Sequence, residues 1–413
     1  MSDARTLALR VLTRVFDEGA YADRAFSGEA ERSHVDGRER ALAMHLAFGA
    51  VQRRRTLDAA LAEIAGRPVQ RLERRLAHVL QLGVFQILFA DGIPEHAAVS
   101  ESVELARREV GNRATGLVNA ILRRIAREGP DWYAALPDGT PEEAALRHSL
   151  PDWIPELWFD AYGEERARAL CAASNRAPAL SLWPNPLRDG AAAVEAWLRE
   201  AGSDAVRDEA TGVLRVDGPL DVAGSAAFTS GAVVPIARAA VLIAQRVGAE
   251  PGMNVLDLCA APGGKTAVLA ASGAAVTAVD VHPARARTLE STLRRLGVAA
   301  DVVTADGRSY RGGPFDRILV DAPCSGLGVL AGRPDARWRR TPEDSEELAA
   351  LQVELVRHAR TLLTAGGELH FAVCTLNPEE NEAIAPAAEL TAHEELRTWP
   401  DEGDDGFYAA RLA

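Results

Sequence analysis

The chain has 413 residues, of which 47% are hydrophobic, and its formal net charge at pH 7 is -13. This length exceeds that of one average domain and predicts two or three, while the ordinary apolar content excludes a disordered chain. Met1–Arg5 has no apolar run after a basic patch, and Pro235, Arg238 and Arg246 interrupt the most apolar stretch, 231–247. We therefore expect neither a secretory signal nor a membrane-spanning helix, and we predict a soluble cytoplasmic protein.

The charge is unevenly distributed along the chain. Residues 1–130 hold 20 Arg against 17 Asp and Glu, a balance of +3, so the net charge of -13 leaves -16 for the rest. The arginine clusters of this first segment form either solvated helix faces or a phosphate-facing patch, and composition alone favours the solvated faces. Lys265 is the only lysine in the sequence, which fits a site that needs a compact ammonium group.

From residue 4 to about 128 the apolar residues recur at helical spacing, as at Leu7, Val11, Leu12 and Val15, which predicts an all-α domain of six or seven helices. Residues 129–150 are rich in proline and glycine and are predicted to be a linker. From about 151 to 230 the pattern is mixed, with a helix at 155–173, a helix at 190–201 and short strands at 179–183 and 212–216. This mixture predicts a small α+β subdomain.

From about residue 231 strands and helices alternate. Strands are predicted at Val255–Leu258, Val276–Asp280, Asp301–Thr304, Phe315–Asp321 and Glu368–Val373, with helices from Thr266, at 283–296 and at 343–363. Such alternation predicts an α/β domain with a parallel, doubly wound sheet. In sheets of this kind ligands bind at the carboxyl ends of the strands.

A glycine-rich loop, Asp257–Thr266, joins the first of these strands to a helix. A P-loop would need glycine where Cys259 stands, and the G-x-G-x-x-G pattern of dinucleotide folds is absent. An adenosine-containing ligand without a pyrophosphate remains, with a plain tight turn as the alternative. Asp280 stands where an acid binds a ribose diol, and Asp306, which alone would be read as a turn residue, follows the third strand.

Cys324 and Cys374 each follow a predicted strand, so both thiols are expected at one edge of the sheet. Two thiols there suggest covalent chemistry beside a bound cofactor, although a buried structural cysteine is the common alternative. Cys171 and Cys259 are assigned to that alternative or to a role of their backbone. Cys374 precedes a polar stretch, 377–381, that is interpreted as a helix start, and a helix N-terminus lowers the pKa of a nearby thiol. With no C-x-x-C pair, the four cysteines favour neither a disulfide framework nor a zinc site, so we expect no metal.

The combined motifs resemble the RsmB (also Sun or Fmu) family of bacterial 16S rRNA cytosine carbon-5 methyltransferases. The resemblance covers nearly the whole chain and includes 93–99, 118–123, 259–265, 321–326, 334–338 and 374–382. It implies a NusB-like helical RNA-binding domain at 1–135, a small α+β subdomain at 145–230 and a Rossmann-like methyltransferase domain at 231–413. It also implies S-adenosylmethionine as cofactor, bound by Cys259, Ala260, Ala261, Pro262, Gly263, Gly264, Lys265, Asp280, Arg285, Asp306 and Asp321.

The resemblance also implies catalytic roles. Cys374 would add to carbon 6 of the cytosine, Asp321 would hydrogen-bond or protonate ring nitrogen 3, and Cys324 would act in the release step. The expected substrate is small-subunit rRNA, naked or partly assembled, with the target base unstacked, and the protein is expected to be a monomer. Another RNA such as tRNA, or a catalytically weak RNA-binding assembly factor, is the alternative.

Three stretches depart from the pattern of the family. Val373 stands where threonine is usual, Trp183-Pro184-Asn185 replaces an Arg-Val-Asn element, and the Val233–Ile236 region lacks an expected Gln-Asp pair. The two thiols and the glycine-rich loop are intact, so activity is still expected.

Overall fold

The computed structural model describes residues 4–33, 35–177, 179–188, 190–218 and 220–413. The described chain divides into two compact units. The helical unit holds the residues up to Ala177 together with the segment Leu330–Arg339, and the sheet unit holds the rest. The division into two compact units does not test the three predicted domains, so their boundaries at 135, 145 and 230 stay predictions. Among the described residues no helix is long and apolar enough to cross a membrane.

Amphipathic helices build the helical unit around one core. Before residue 178 the described helices are Ala4–Phe16, Ala22–Ser33, Gly37–Gln52, Arg54–Glu63, Arg74–Leu88, Glu95–Glu109, Asn112–Ala134, Pro141–His148 and Trp153–Ala173. The first seven agree with the predicted six or seven. Leu7, Leu46, Leu80 and Leu122 are fully buried in the shared core, as helical spacing of apolar residues requires.

The linker predicted at 129–150 is mostly helical, so that prediction is wrong. Pro130 lies inside the Asn112–Ala134 helix, and Pro141 occupies the first turn of the next helix, where its missing N–H costs nothing. Thr140 and Glu143 form a capping box at that helix start. Proline therefore marks helix starts here as well as loops.

The segment Leu330–Arg339 packs within the helical unit although the chain on both sides of it belongs to the sheet unit. The Arg337 side chain is fully buried. Its guanidinium donates to Gln52 O (3.3 Å), Ser149 O (3.2 Å), Ser174 O (2.8 Å), Leu330 O (3.3 Å) and Asn175 Oδ1 (3.0 Å). Trp338 Nε1 donates to Val51 O at 2.7 Å. The segment is thus part of the interior of the helical unit.

A small antiparallel sheet begins the sheet unit. Its strands are β1 (Leu180–Pro184), β2 (Ala205–Arg207), β3 (Leu214–Val216) and β4 (Val233–Pro235), in the order β2-β3-β1-β4. The helix Gly190–Glu200 contributes Val194 and Leu198 to the core beneath it. Strand β4 pairs with β1 and lies after residue 230, so the small sheet includes residues beyond the predicted boundary of the subdomain.

The large sheet carries the predicted strands and extends them. Its strands are β5 (Asn254–Leu258), β6 (Ala275–Asp280), β7 (Asp301–Thr304), β8 (Phe315–Asp321), β9 (Leu363–Val373), β10 (Ala392–Thr398) and β11 (Phe407–Leu412). Their order is β10-β11-β9-β8-β5-β6-β7. The five neighbouring strands β9, β8, β5, β6 and β7 are parallel, whereas the β9–β11 and β11–β10 pairs are antiparallel. The sheet is therefore mixed, and its antiparallel edge was not predicted.

Helices cover both faces of this sheet. The helices Arg238–Arg246, Gly264–Ala270 and Pro283–Leu296 pack on one face together with Val255, Val276 and Leu319. The helix Pro342–Arg360 packs on the other face with Leu256 and Val320. Because both faces are buried, the central strands are apolar almost throughout, which is what made them recognisable in the sequence.

Candidate active site

Strand register brings four loops to one edge of the large sheet. Leu258 lies opposite Val279 and Val320, and Asp321 lies opposite Ala372. The loops after β5, β6, β8 and β9 therefore begin side by side, and they carry the residues singled out in the sequence.

The loop after β5 has the backbone conformation of a tight ligand-binding turn. Cys259 adopts a φ of 62° and Gly263 a φ of 106°, both in the left-handed region. A side chain at Gly263 would also lie 2.7 Å from the Leu289 side chain, so only glycine fits there. Burial raises the pKa of the Cys259 thiol to about 12, and Cys171, in the helical unit, is shifted to about 12 for the same reason. Neither thiol is ionised near neutral pH.

Two carboxylates at this edge keep an oxygen without a hydrogen bond. Asp257 is fully buried, and its Oδ2 accepts from Thr266 Oγ1 at 2.6 Å while its Oδ1 has no hydrogen bond. Burial raises the pKa of Asp257 to about 7. Asp280 accepts from the His282 amide through Oδ1, and its Oδ2 makes no hydrogen bond although Arg285 Nε lies 3.3 Å away. Buried acceptors of this kind are suited to a ligand that brings donors.

Arg285 and Asp306 take different positions at the rim. Arg285 Nη2 donates to Ala261 O at 2.9 Å and so ties the glycine-rich loop to the helix after β6. Asp306 is held by Arg308, with Nη2 to Oδ2 at 2.7 Å, and this contact lowers the pKa of Asp306.

Lys265 points at a side chain of the protein. Its Nζ lies 2.8 Å from Asp321 Oδ2, in an ion pair with 12% and 28% of the two side chains exposed, and 5.1 Å from the centre of the Phe407 ring. Burial lowers the pKa of Lys265, but the charges of Asp321 and Cys374 outweigh this effect and leave it raised. The lysine that the sequence placed in a cofactor loop therefore orients the carboxylate at the end of β8.

The two cysteines that the sequence placed at this edge, Cys324 and Cys374, are in contact. Cys324 Sγ and Cys374 Sγ are 3.4 Å apart, at the ends of the adjacent strands β8 and β9. The pKa of Cys324 is well above its ordinary value because of the hydrogen bond with Cys374, burial, and repulsion by Cys374 and Glu380. The polar stretch after Cys374 forms only a three-residue 3-10 turn, Pro378–Glu380, so the predicted helix start is wrong. Three residues are too few for a helix dipole to act on the thiol.

Glu380, which the sequence analysis did not single out, joins the two cysteine loops. Its side chain is fully buried, and its Oε2 accepts from the Ser325 amide at 2.8 Å and from Gln352 Nε2 at 3.1 Å. Gln352 Nε2 also donates to Pro323 O at 2.8 Å, and Asn377 Nδ2 donates to Glu380 Oε1 at 3.4 Å. We call these five residues the Glu380 network. In the sequence nothing distinguishes Glu380 from the adjacent Glu379, which is exposed.

Gly328 and Gly406 also pack at this point of the sheet edge. The Gly328 amide donates to Cys374 O at 3.1 Å, and its carbonyl accepts from the Gly406 amide at 2.8 Å. A side chain at Gly328 would lie 1.9 Å from Gly406 O. The loop that follows Cys324 is therefore joined to Cys374 through backbone contacts that leave no room for a side chain.

Comparison with known proteins places this arrangement in a family. Family models match as 16S rRNA methyltransferase RsmB/F at 245–405, the NusB family at 2–127, and an RsmF/B-like ferredoxin-like domain at 150–223. A probable ribosomal RNA small subunit methyltransferase B of Synechocystis sp. is 32% identical over 97% of this chain and 92% of its own length. The chain belongs to the RsmB family of ribosomal RNA small subunit methyltransferases.

Two further proteins match this family member over 99% of its length. The ribosomal RNA small subunit methyltransferase B of Vibrio vulnificus is 33% identical over 99% of both chains. The crystal structure of PH0851 is 22% identical and superimposes with a TM-score of 0.80 over 99% of this chain and 98% of that one, which shows that the fold is the same. The predicted fold class, with a NusB-like amino-terminal part and a methyltransferase domain on a Rossmann-like sheet, is confirmed.

Proposed function

We propose that this methyltransferase transfers a methyl group from S-adenosylmethionine to carbon 5 of a cytosine in 16S rRNA, through a covalent bond between Cys374 and the base. The observation that carries the proposal is the 3.4 Å separation of two thiols at the ends of adjacent strands. Methylation of an exocyclic or ring nitrogen, which is itself nucleophilic, has no need of a second thiol.

The residues of the sheet edge fit S-adenosylmethionine. The cofactor carries a ribose diol and an ammonium group, both hydrogen-bond donors, and at the edge one oxygen each of Asp257 and Asp280 accepts no hydrogen bond. We propose that Asp280 and Arg285 hold the ribose side, that Asp306 lies towards the adenine, and that the backbone of Cys259–Gly264 holds the remainder. When bound, the cofactor supplies an electrophilic methyl group.

Cys374 is the proposed nucleophile. Carbon 5 of cytosine is a poor nucleophile, and addition of the Cys374 sulfur to carbon 6 makes carbon 5 enamine-like. Negative charge then develops towards ring nitrogen 3. Asp321 is proposed to hydrogen-bond to this nitrogen or to donate a proton to it, acting there in its protonated form, while Lys265, 2.8 Å away, holds the carboxyl group in place.

Cys324 is the proposed base of the release step. The hydrogen bond and negative charge of Cys374 are among the causes that raise the pKa of Cys324. Both disappear when the Cys374 sulfur bonds to carbon 6, so the pKa of Cys324 falls at the stage at which a base is needed. Cys324 then loses its own proton to solvent, its thiolate takes the proton from carbon 5, and Cys374 leaves as a thiolate.

The experiment is incubation of the purified protein with radiolabelled S-adenosylmethionine and RNA. Wild type is expected to label 16S rRNA, and nucleotide mapping is expected to find 5-methylcytosine. Cys324→Ala should accumulate a covalent RNA adduct that survives denaturing gels, whereas Cys374→Ala should form none. Adduct formation by Cys374→Ala and none by Cys324→Ala would reverse the two roles.

The same incubation separates the alternatives. Label in tRNA but not in rRNA would move the substrate to another RNA, and no label in any RNA would leave an RNA-binding assembly factor. The match of residues 2–127 to the NusB family supports RNA binding by the helical unit in each case. The expectation of a monomer stays a prediction.

A further inference from the structure

The two thiols of the active site are chemically alike, yet the proposed mechanism needs one of them to attack first. At 3.4 Å the two sulfurs share a hydrogen bond. Once the pair has lost one of its two protons, the position of the remaining shared proton decides which sulfur is nucleophilic. The groups on the two sides of this pair therefore matter more than the separation itself.

Glu380 lies on the Cys324 side of the pair. Its carboxylate accepts from the amide of Ser325, the residue directly after Cys324, and Gln352 links it to the carbonyl of Pro323, the residue directly before. The carboxylate is held among neutral donors, since Ser325, Gln352 and Asn377 contribute an amide N–H each. Burial raises the pKa of Glu380, against the effect of these hydrogen bonds.

Lys265 interacts electrostatically with the other thiol, Cys374. The Cys374 sulfur is one of the groups that attract its ammonium and raise its pKa, after Asp321. A negative charge near Cys324 and a positive charge near Cys374 favour opposite protonation states of the two thiols. The charged groups near the pair or near Lys265 include Glu380, Asp321, Asp257 and Arg340, whose Nη2 lies 3.4 Å from Cys324 O.

We propose that Glu380 is a positioning residue that keeps the shared proton on Cys324 and leaves Cys374 as the attacking sulfur. This inference rests on the proposed function for its purpose, but the state of the thiols can be measured without RNA or cofactor. A purely structural carboxylate would be served as well by a neutral side chain, because removing the charge would remove the cost of burying it.

The raised pKa of Cys324 agrees with this assignment, since Glu380 is one of its causes. The negative charge of the buried Glu380 carboxylate disfavours a thiolate at Cys324, so loss of that charge should make Cys324 easier to ionise. The change expected at Cys324 is about one pH unit, or about tenfold in thiolate fraction at a fixed pH. Cys374 should change less, because Lys265 is retained.

The experiment measures initial rates of alkylation of each cysteine by iodoacetamide from pH 6 to 10, read by peptide mass spectrometry. In wild type we expect Cys374 to be alkylated with a lower pH midpoint than Cys324. In Glu380→Gln the Cys324 midpoint should fall by about one unit. Glu379→Gln is the matched control, since it removes an exposed charge from the same turn and should leave both midpoints unchanged. Glu380→Asp, which keeps the charge, should leave the Cys324 midpoint near its wild-type value.

Two results would overturn the inference. One is a Cys324 midpoint that does not move in Glu380→Gln while circular dichroism shows a folded protein. The other is a wild-type protein in which Cys324 is alkylated at lower pH than Cys374, a result that does not depend on how any variant folds. If the wild-type order holds but no RNA is methylated, the proposed function fails and the inference on the thiols stands.

Discussion

At the scale of single residues, the site is organised by pairs that the chain brings together from distant positions. Lys265 and Asp321 are 56 residues apart, and Cys324 and Cys374 are 50 apart. In each pair one member sets the state of the other. Asp321 keeps Lys265 charged although it is buried, and Lys265 keeps the Asp321 carboxylate in one position beside the thiol pair.

The Lys265–Asp321 pair yields the first prediction. Replacing Lys265 by Met should lower kcat by about a hundredfold, the usual loss when one group that orients a transition-state contact is removed. The KM for S-adenosylmethionine should change little, because the ammonium contacts Asp321. The measurement is steady-state kinetics with 16S rRNA.

A double-mutant cycle provides the control for this prediction. If the two residues act as one unit, Lys265→Met combined with Asp321→Asn should lose no more activity than the more damaging single variant. A Lys265→Met protein whose main defect is a raised KM for S-adenosylmethionine would instead return Lys265 to the cofactor-binding role expected from the sequence.

At the scale of elements, a close backbone contact at Gly328 and Gly406 joins the loops after β8 and β9 to the start of strand β11. The backbone hydrogen bonds Gly328 N to Cys374 O and Gly406 N to Gly328 O, at 3.1 and 2.8 Å, join three elements at a point where no side chain fits. The antiparallel edge of the sheet, which ends at Leu412, thus supports the cysteine loops rather than merely extending the sheet.

Gly328→Ala is the prediction at this scale. Its Cβ would lie 1.9 Å from Gly406 O, so the loop must move and the hydrogen bond to Cys374 is lost. We expect a loss of about 1–3 kcal/mol in the free energy of unfolding, as for other overpacked sites, together with loss of methylation. Urea unfolding and the methylation assay measure the two effects.

Gly116 offers the matched control for Gly328. It lies within the Asn112–Ala134 helix, and an added Cβ would meet nothing within 4 Å. Gly116→Ala should therefore be neutral or stabilise by up to about 1 kcal/mol. An equally benign Gly328→Ala would show that the loops have more room than the structure indicates.

At the scale of the whole molecule, the chain leaves the sheet unit at Leu330, enters the helical unit, and returns after Arg339. The helical unit therefore needs the segment Leu330–Arg339 in addition to the amino-terminal part of the chain. Arg337 fills a fully buried position there and satisfies four main-chain carbonyls and one side-chain oxygen. Burial lowers the pKa of Arg337 to about 9, so its charge is retained at neutral pH.

Arg337→Ala should destabilise the helical unit by about 3–5 kcal/mol, because it leaves buried carbonyls without donors and opens a cavity. Arg333→Ala, an exposed arginine on the same segment, should stay within about 0.5 kcal/mol of wild type. The measurement is thermal and urea unfolding of the full-length protein. Equal stability of the two variants would mean that the segment is only loosely held.

The sequence by itself determined the order of helices and strands and the residues at the strand ends. Apolar spacing of 3.6 and continuous apolar runs are local signals, so the seven first helices and strands β5 to β9 were recognisable. Because parallel strands end at one edge, Cys324, Cys374 and Asp321 could also be expected at one site. The linker at 129–150 was misjudged because proline serves helix starts as well as loops.

Only the tertiary structure decided which of these residues touch. Long-range contacts determine the partner of Lys265, the Glu380 network and the burial of Arg337. Except for the Asn377–Glu380 and Leu330–Arg337 contacts, these residues are at least 28 positions from one another in the sequence, and no local pattern encodes such contacts. Glu379 and Glu380 are the same residue type side by side, yet one is exposed and the other fully buried against the Cys324 loop. That difference is set by packing of the 3-10 turn against the rest of the sheet unit.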